Sequence, residues 1–266
     1  MPCPGPTSPR RQFPVPLAES PVLSSRSNWA RLPVEASGRW ALALLPAMIA
    51  VLALAAPAAA QDVSTHFWPE VDTFVKLNDR MRLFVPIADT RTGEDDSAQN
   101  GTTGVYFDYY TKALLEAGVS ANDARSSLLL LRVGYAYSAP GSGESATNTI
   151  VGEATGRVVI PWKILLSHRS RFDLNFSGGE FSPVYRSRAR LERDVVIGKN
   201  FLTPYAYGEV FYSFNDGTWT RVRVAGGVEV HIWERFVPEV YFQRDYNKAA
   251  GTDVNGFGLV LSIYLR

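Results

Sequence analysis

The chain has 266 residues, a single cysteine, and 27 basic against 26 acidic residues. Near-neutral charge removes the electrostatic case for a nucleic-acid partner, and the lone Cys3 removes a disulfide framework. After residue 60 no apolar run approaches the ~20 residues of a membrane helix, so any membrane crossing has to be made by strands.

Residues 1–37 are rich in Pro, Ser and Arg and show no apolar periodicity. Gly38-Arg39-Trp40 then leads into the Ala/Leu/Ile/Val/Met run Ala41–Ala56, and Ala58-Ala59-Ala60 precedes Gln61. A basic flank, an apolar stretch and small residues before a polar one describe a cleavable secretory signal. The expected division is therefore residues 1–60 as leader and signal peptide and residues 61–266 as one domain. The long leader suggests translation from near Val34. Without the five Arg and two Glu of residues 1–60, the remainder holds 22 basic and 24 acidic residues. All twelve Tyr and four of the six Trp also lie after residue 60, and both suit a hydrocarbon–water interface.

From His66 the chain alternates. Val71, Thr73, Val75 and Leu77 oppose Glu70, Asp72, Phe74 and Lys76; Asn78-Asp79 turns; Met81, Leu83, Val85 and Ile87 resume the apolar face. Arg91–Thr102 reads as a long polar loop. Val105, Phe107 and Tyr109 open a third strand, Lys112–Gly118 suits a short helical turn at a rim, and Ser120–Arg125 turns the chain into Leu128–Ser138. Ala139–Asn148 is a second long loop, followed by the strand Thr149–Ile160. Pro161–Ser170 reads as a connection carrying Trp162, an interface candidate, before the strand Arg171–Gly178. Val184–Val196 sets Arg186, Arg188, Arg190 and Glu192 against Tyr185, Ala189 and Leu191. Pro204–Phe214 ends in the turn Asn215-Asp216-Gly217, and Trp219–Ile232, Phe236–Tyr246 and Val254–Leu265 complete the set. The clearest alternation is Val222, Val224, Gly226, Val228, Val230 against Arg221, Arg223, Ala225, Gly227, Glu229.

Period-two strands with unlike faces, each near the about 9–11 residues that cross a bilayer at a tilt, are the pattern of a transmembrane barrel. Eleven segments are readable, whereas a barrel with both termini on one side needs an even number. About 10 residues per strand and about 7 per connection give roughly twelve strands, with ten as the alternative. The expected fold is thus all-β, a single antiparallel up-and-down transmembrane barrel.

An Arg or Lys facing lipid at midplane costs about 2–4 kcal/mol, which sends the charged faces inward. The expected lumen network comprises Arg186, Arg188, Arg190, Glu209, Arg221, Arg223, Glu229 and Glu239. It either fills the barrel as mutual ion pairs or lines a narrow passage in which the Arg186/Arg188/Arg190 stripe attracts anions. The opposite register describes a soluble periplasmic barrel carrying lipid in an apolar interior. Gly152, Gly156, Gly226 and Gly227 read as closure positions of the wall.

The residues Phe67-Trp68-Pro69-Glu70-Val71-Asp72, the turn Leu77-Asn78-Asp79-Arg80, the Arg186/Arg188/Arg190 strand and Pro204-Tyr205-Ala206-Tyr207 resemble the bacterial family called domain of unknown function 2490. The resemblance spans most of 66–265. It implies a Gram-negative outer-membrane barrel without an assigned activity and transfers no functional residues. The last strand, Gly256-Phe257-Gly258 leading to Leu261, Ile263 and Leu265, resembles the C-terminal signal read by the barrel-assembly machinery. That signal usually ends in an aromatic residue, whereas this chain ends Tyr264-Leu265-Arg266.

No catalytic residues, cofactor or metal are expected. The histidines after residue 60 are His66, His168 and His231, and no spacing joins one to a serine and an acid as a triad requires. The functional expectation is a structural barrel, or a porin-like passage for small polar solutes, in the outer membrane. Its partners would be outer-membrane lipid and lipopolysaccharide, and the assembly machinery during insertion; the acidic Glu94-Asp95-Asp96 reads as a solvated loop in preference to a contact for divalent cations. A hydrolase of outer-membrane lipid, with His231 or His168 as base, is the alternative from another class.

Overall fold

The computed structural model describes residues 63–92, 101–111, 127–140, 145–197, 200–231, 233, 235–248 and 251–265. The expected signal peptide, the acidic loop Glu94-Asp95-Asp96, the helical turn Lys112–Gly118 and the turn Ser120–Arg125 lie outside those residues.

Alternation becomes strand throughout: β1 (Val63–Asn78), β2 (Met81–Ala88), β3 (Arg91–Thr92), β4 (Thr102–Tyr110), β5 (Leu129–Ser138), β6 (Thr147–Ile160) and β7 (Ile164–Ser177). They are followed by β8 (Glu180–Glu192), β9 (Val195–Ile197), β10 (Asn200–Ser213), β11 (Thr218–His231), β12 (Phe236–Asn247) and β13 (Thr252–Leu265). Eleven of these are the staves of one closed barrel, in the order β1-β2-β4-β5-β6-β7-β8-β10-β11-β12-β13 and back to β1. The two short strands extend the wall, β3 along β1 and β9 along β10. The all-β up-and-down barrel is as expected, and the count falls between the even numbers considered.

An odd count closes because the seam is parallel. β1 and β13 run in the same direction from Val63↔Asp253 to Val75↔Leu265, while every other pairing is antiparallel. The even-number rule assumes a first strand that opposes the last; here it does not. One rim carries the turn Asp79-Arg80 and the turn Pro161–Lys163, and the other carries the turns at Gly178-Gly179 and 214–217 and the hydrogen bond from the Gly251 N–H to the Asn247 carbonyl between β12 and β13.

Local chemistry fixes these turns. The Asn78 Oδ1 accepts the Arg80 N–H at 2.8 Å, an Asx turn. Beside it Lys76 lies 2.9 Å from Asp79 and holds that carboxyl below its ordinary range. Gly178 and Gly179 sit at φ 57° and 87°, the left-handed pair that a two-residue hairpin requires.

The connection expected over Pro161–Ser170 is only three residues long, Pro161–Lys163, with Trp162 74% exposed at its tip. Residues Ile164–Ser170 already belong to β7. Their inner face, Leu165, Ser167, Arg169, continues regularly into Arg171 and Asp173, but the outward His168 and Ser170 break the apolar alternation that would have revealed the strand. The Arg-bearing strand likewise begins at Glu180 and ends at Glu192, earlier than expected.

Burial shows which face is which. Val71, Ile87, Val105, Leu131, Val133, Tyr135, Ile150, Phe172, Val240, Phe257 and Leu259 are exposed on the outside, while Asp108, Glu153, Asp173, Glu209 and Glu229 are buried within. A soluble carrier with an apolar interior needs the reverse register, so the structure is not that of such a carrier.

Candidate functional site in the barrel lumen

Inward positions on neighbouring staves form rungs, and the sequence places arginines and acids on adjacent rungs. β8 contributes Arg186, Arg188 and Arg190, and β10 contributes Glu209, which is 1% exposed. Glu209 accepts from Arg169 at 2.7 Å, Arg186 at 3.1 Å and Arg188 at 2.8 Å, with Arg223 at 3.9 Å. Arg169 belongs to β7, which is not hydrogen-bonded to β10, so this contact reaches across the concave side of the wall.

The rest of the expected network lies on the same inner wall. Arg190 donates to Glu229 at 2.7 Å, and His231 stands 3.5 Å from that carboxylate. Arg223 grips Asp245 through two bonds of 2.8 and 2.7 Å, and Arg221 stands 3.8 Å from it. Glu239 accepts the Tyr205 hydroxyl. Bidentate, charge-assisted pairs of this kind are the strong ones.

The cost of charge in lipid also sends Arg82 and Asp173 inward from sequence, whereas their partners Asp108, Arg132 and Arg171 were not singled out. Asp108, fully buried, is shared by Arg82 at 2.7 Å and Arg132 at 2.6 Å, and Arg171 donates to Asp173. Their signal was available in parity. Arg132 alternates with the outward Leu131, Val133 and Tyr135, and Arg169 keeps step with Arg171.

Aromatic rings fill the space between these ions. Arg190 lies 3.9 Å over Tyr205, Arg188 4.0 Å over Tyr207, Arg221 3.8 Å over Phe211, and Arg132 4.2 Å over Phe84. Phe74, Phe84 and Tyr106 stack in sequence across β1, β2 and β4 at 4.7 and 5.4 Å, with Tyr264 against Phe74. Guanidinium over a ring face is favourable and displaces water. Inward glycines make room for the rings: a Cβ on Gly256 would lie 1.6 Å from Trp68, and one on Gly134 would lie 2.4 Å from the Tyr106 ring and 2.6 Å from the Val105 carbonyl. Of the glycines expected to close the wall, Gly227 sits beneath Tyr205 and Tyr241, whereas Gly152 and Gly156 face open space outside.

A cavity of about 210 Å³ remains in the half of the lumen nearest the Pro161–Lys163 turn. Arg82, Arg132, Arg157, Arg169, Arg188 and Arg190 line it, with Glu153 and Glu192 as its acidic members. Among the described residues no group of three His, Cys, Asp or Glu side chains is placed to hold a metal ion.

The histidines separate. His231 is an inner-wall residue, while His168 is on the outer face, 2.9 Å from the Ser187 hydroxyl. Ser170 there meets the Tyr185 hydroxyl at 3.2 Å.

The family described as protein of unknown function (DUF2490) matches residues 65–255. No curated protein and no solved structure matches the chain.

Proposed function

Since the chain belongs to that family of unknown function, we propose that it is an integral barrel of the bacterial outer membrane, structural in role or a narrow passage for small polar solutes. One observation carries the reading: the wall is apolar outside and charged within, the reverse of a water-soluble barrel. Ile87, Val105, Val133, Ile150 and Phe257 would meet acyl chains, while the ions are paired inside. Aromatic residues mark both rims, as an interfacial girdle requires. Trp162 and Trp233 stand at one rim, and Phe176, Phe181, Phe214 and Trp219 at the other. Paired ions and stacked rings project into the lumen, which favours small solutes for any passage.

Heat-modifiable gel migration of the protein refolded in detergent tests the barrel, and planar-bilayer conductance tests the passage. The expected result is faster migration before boiling, with small conductance steps or none. Migration unchanged by boiling, with recovery in detergent-free buffer, would sink the membrane assignment.

One observation favours a second reading, a hydrolase of outer-membrane lipid: His168 and Ser187 are hydrogen-bonded on the face that would meet acyl chains. Cells carrying the Ser187→Ala variant would then lack a lipid product that the wild type generates. Identical lipid profiles remove this reading.

A further inference from the structure

We propose that the arginine-lined cavity near the Pro161–Lys163 rim is a binding site for a small oxyanion of the phosphate class. The first observation is a local excess of cations. Six guanidiniums line the cavity against Glu153 and Glu192. Arg190 is paired with Glu192 and Glu229, but the carboxylates at the others are shared: Asp108 serves Arg82 and Arg132, and Glu209 serves Arg169, Arg186 and Arg188.

The second is register. Arg169 faces Arg188 directly across β7 and β8, and Arg171 faces Arg186 on the next inward rung. Like charges opposite one another destabilise a sheet, so two such pairs in succession call for counter-charge. Asp173 is shared by Arg171 and Arg186, whereas the cavity-lining pair Arg169 and Arg188 has Glu209, itself shared with Arg186, and Glu153 at 3.6 Å from Arg169.

The third is unmet hydrogen bonding. The Nε–H groups of Arg169 and Arg188 are buried and donate to no acceptor, although both side chains line the cavity. A buried donor left unmade is costly, and a tetrahedral oxyanion offers several acceptors to such forks. One Glu153 oxygen is also buried without a hydrogen bond, so a protonated phosphate oxygen has an acceptor there. Size sets the class. The volume of about 210 Å³ is below the about 300–1,000 Å³ of sites for drug-sized ligands. It suits a phosphate or phosphomonoester headgroup and leaves no room for acyl chains.

The site needs only the folded barrel, so binding is measured in micelles whether or not the lumen conducts. Isothermal titration of inorganic phosphate into the refolded, heat-modifiable protein should show saturable binding that weakens with added salt. Arg157→Gln, near the rim, and Arg169→Gln should each weaken it about tenfold or more, the loss of one charge-assisted bond. Arg91→Gln, on β3 at the opposite rim and outside the lumen network, should leave it unchanged. A second arm replaces free phosphate with micelles doped with phosphatidic acid. Competition with inorganic phosphate would assign the site to a lipid headgroup, and its absence to the free anion. No saturable heat from either probe, or binding indifferent to both cavity variants while they remain heat-modifiable, overturns the proposal.

Discussion

Glu209 is the most heavily engaged side chain of the lumen, with three arginines within 3.1 Å and a fourth at 3.9 Å. Glu209→Gln keeps its shape and removes its charge, leaving buried guanidiniums opposed across β7 and β8. Breaking a buried ion pair from one side costs about 3–5 kcal/mol. Urea unfolding in micelles, followed by tryptophan fluorescence, should show a loss of that order. The glycines give a paired prediction. A methyl at Gly134 meets the backbone of β4 as well as the Tyr106 ring, so Gly134→Ala should cost about 1–3 kcal/mol. Gly152 faces open space, and Gly152→Ala should stay within about 0.5 kcal/mol of wild type.

Among the elements, strands whose two faces meet unlike surroundings were readable from sequence. β11 and β13 carry unbroken alternation, and Arg186, Arg188 and Arg190 fall on one face of β8 by parity alone. The start of β7 was obscured because His168 and Ser170 put polar groups on the outward face, and period two is visible only while each face stays chemically uniform. Glu209, Arg186 and Arg188 could be assigned to the lumen from sequence, but not their contacts, and Arg169 was missed. Arg169 and Glu209 are forty positions apart and meet across an intervening strand, a fact of curvature that no local pattern encodes. The seam was hidden for a related reason: strand direction at closure depends on the parity of the whole count. It has a direct test. Val71 and Leu261 are register partners across β1 and β13 and both face outward. Parallel partners lie within disulfide reach, so Val71→Cys with Leu261→Cys, in a Cys3→Ser background, should cross-link on oxidation. The unboiled band should then resist heat until reductant is added. A one-residue slip, or an antiparallel closure, would leave the pair unlinked.

For the whole molecule, the lumen and the wall divide the work of stability. The wall supplies hydrogen bonds in an unbroken ring, and the inner side chains fix its diameter by tying strands that are not neighbours, as Arg190 ties β8 to β11 and Tyr207 ties β10 to β12. The parallel seam adds a property that such packing does not. Successive antiparallel pairings can zip all eleven staves into one sheet as each emerges, but the last contact joins residues 63 and 253, the most distant partners in the sheet, through a pairing slightly weaker per residue than the rest. The barrel therefore has one line along which it is made last and would part first. In a bilayer it also has a sidedness unlike that of an even barrel: the backbone entering at Val63 and the backbone leaving at Leu265 open into different compartments, so a protease confined to one side of a sealed vesicle could trim only one of the two ends.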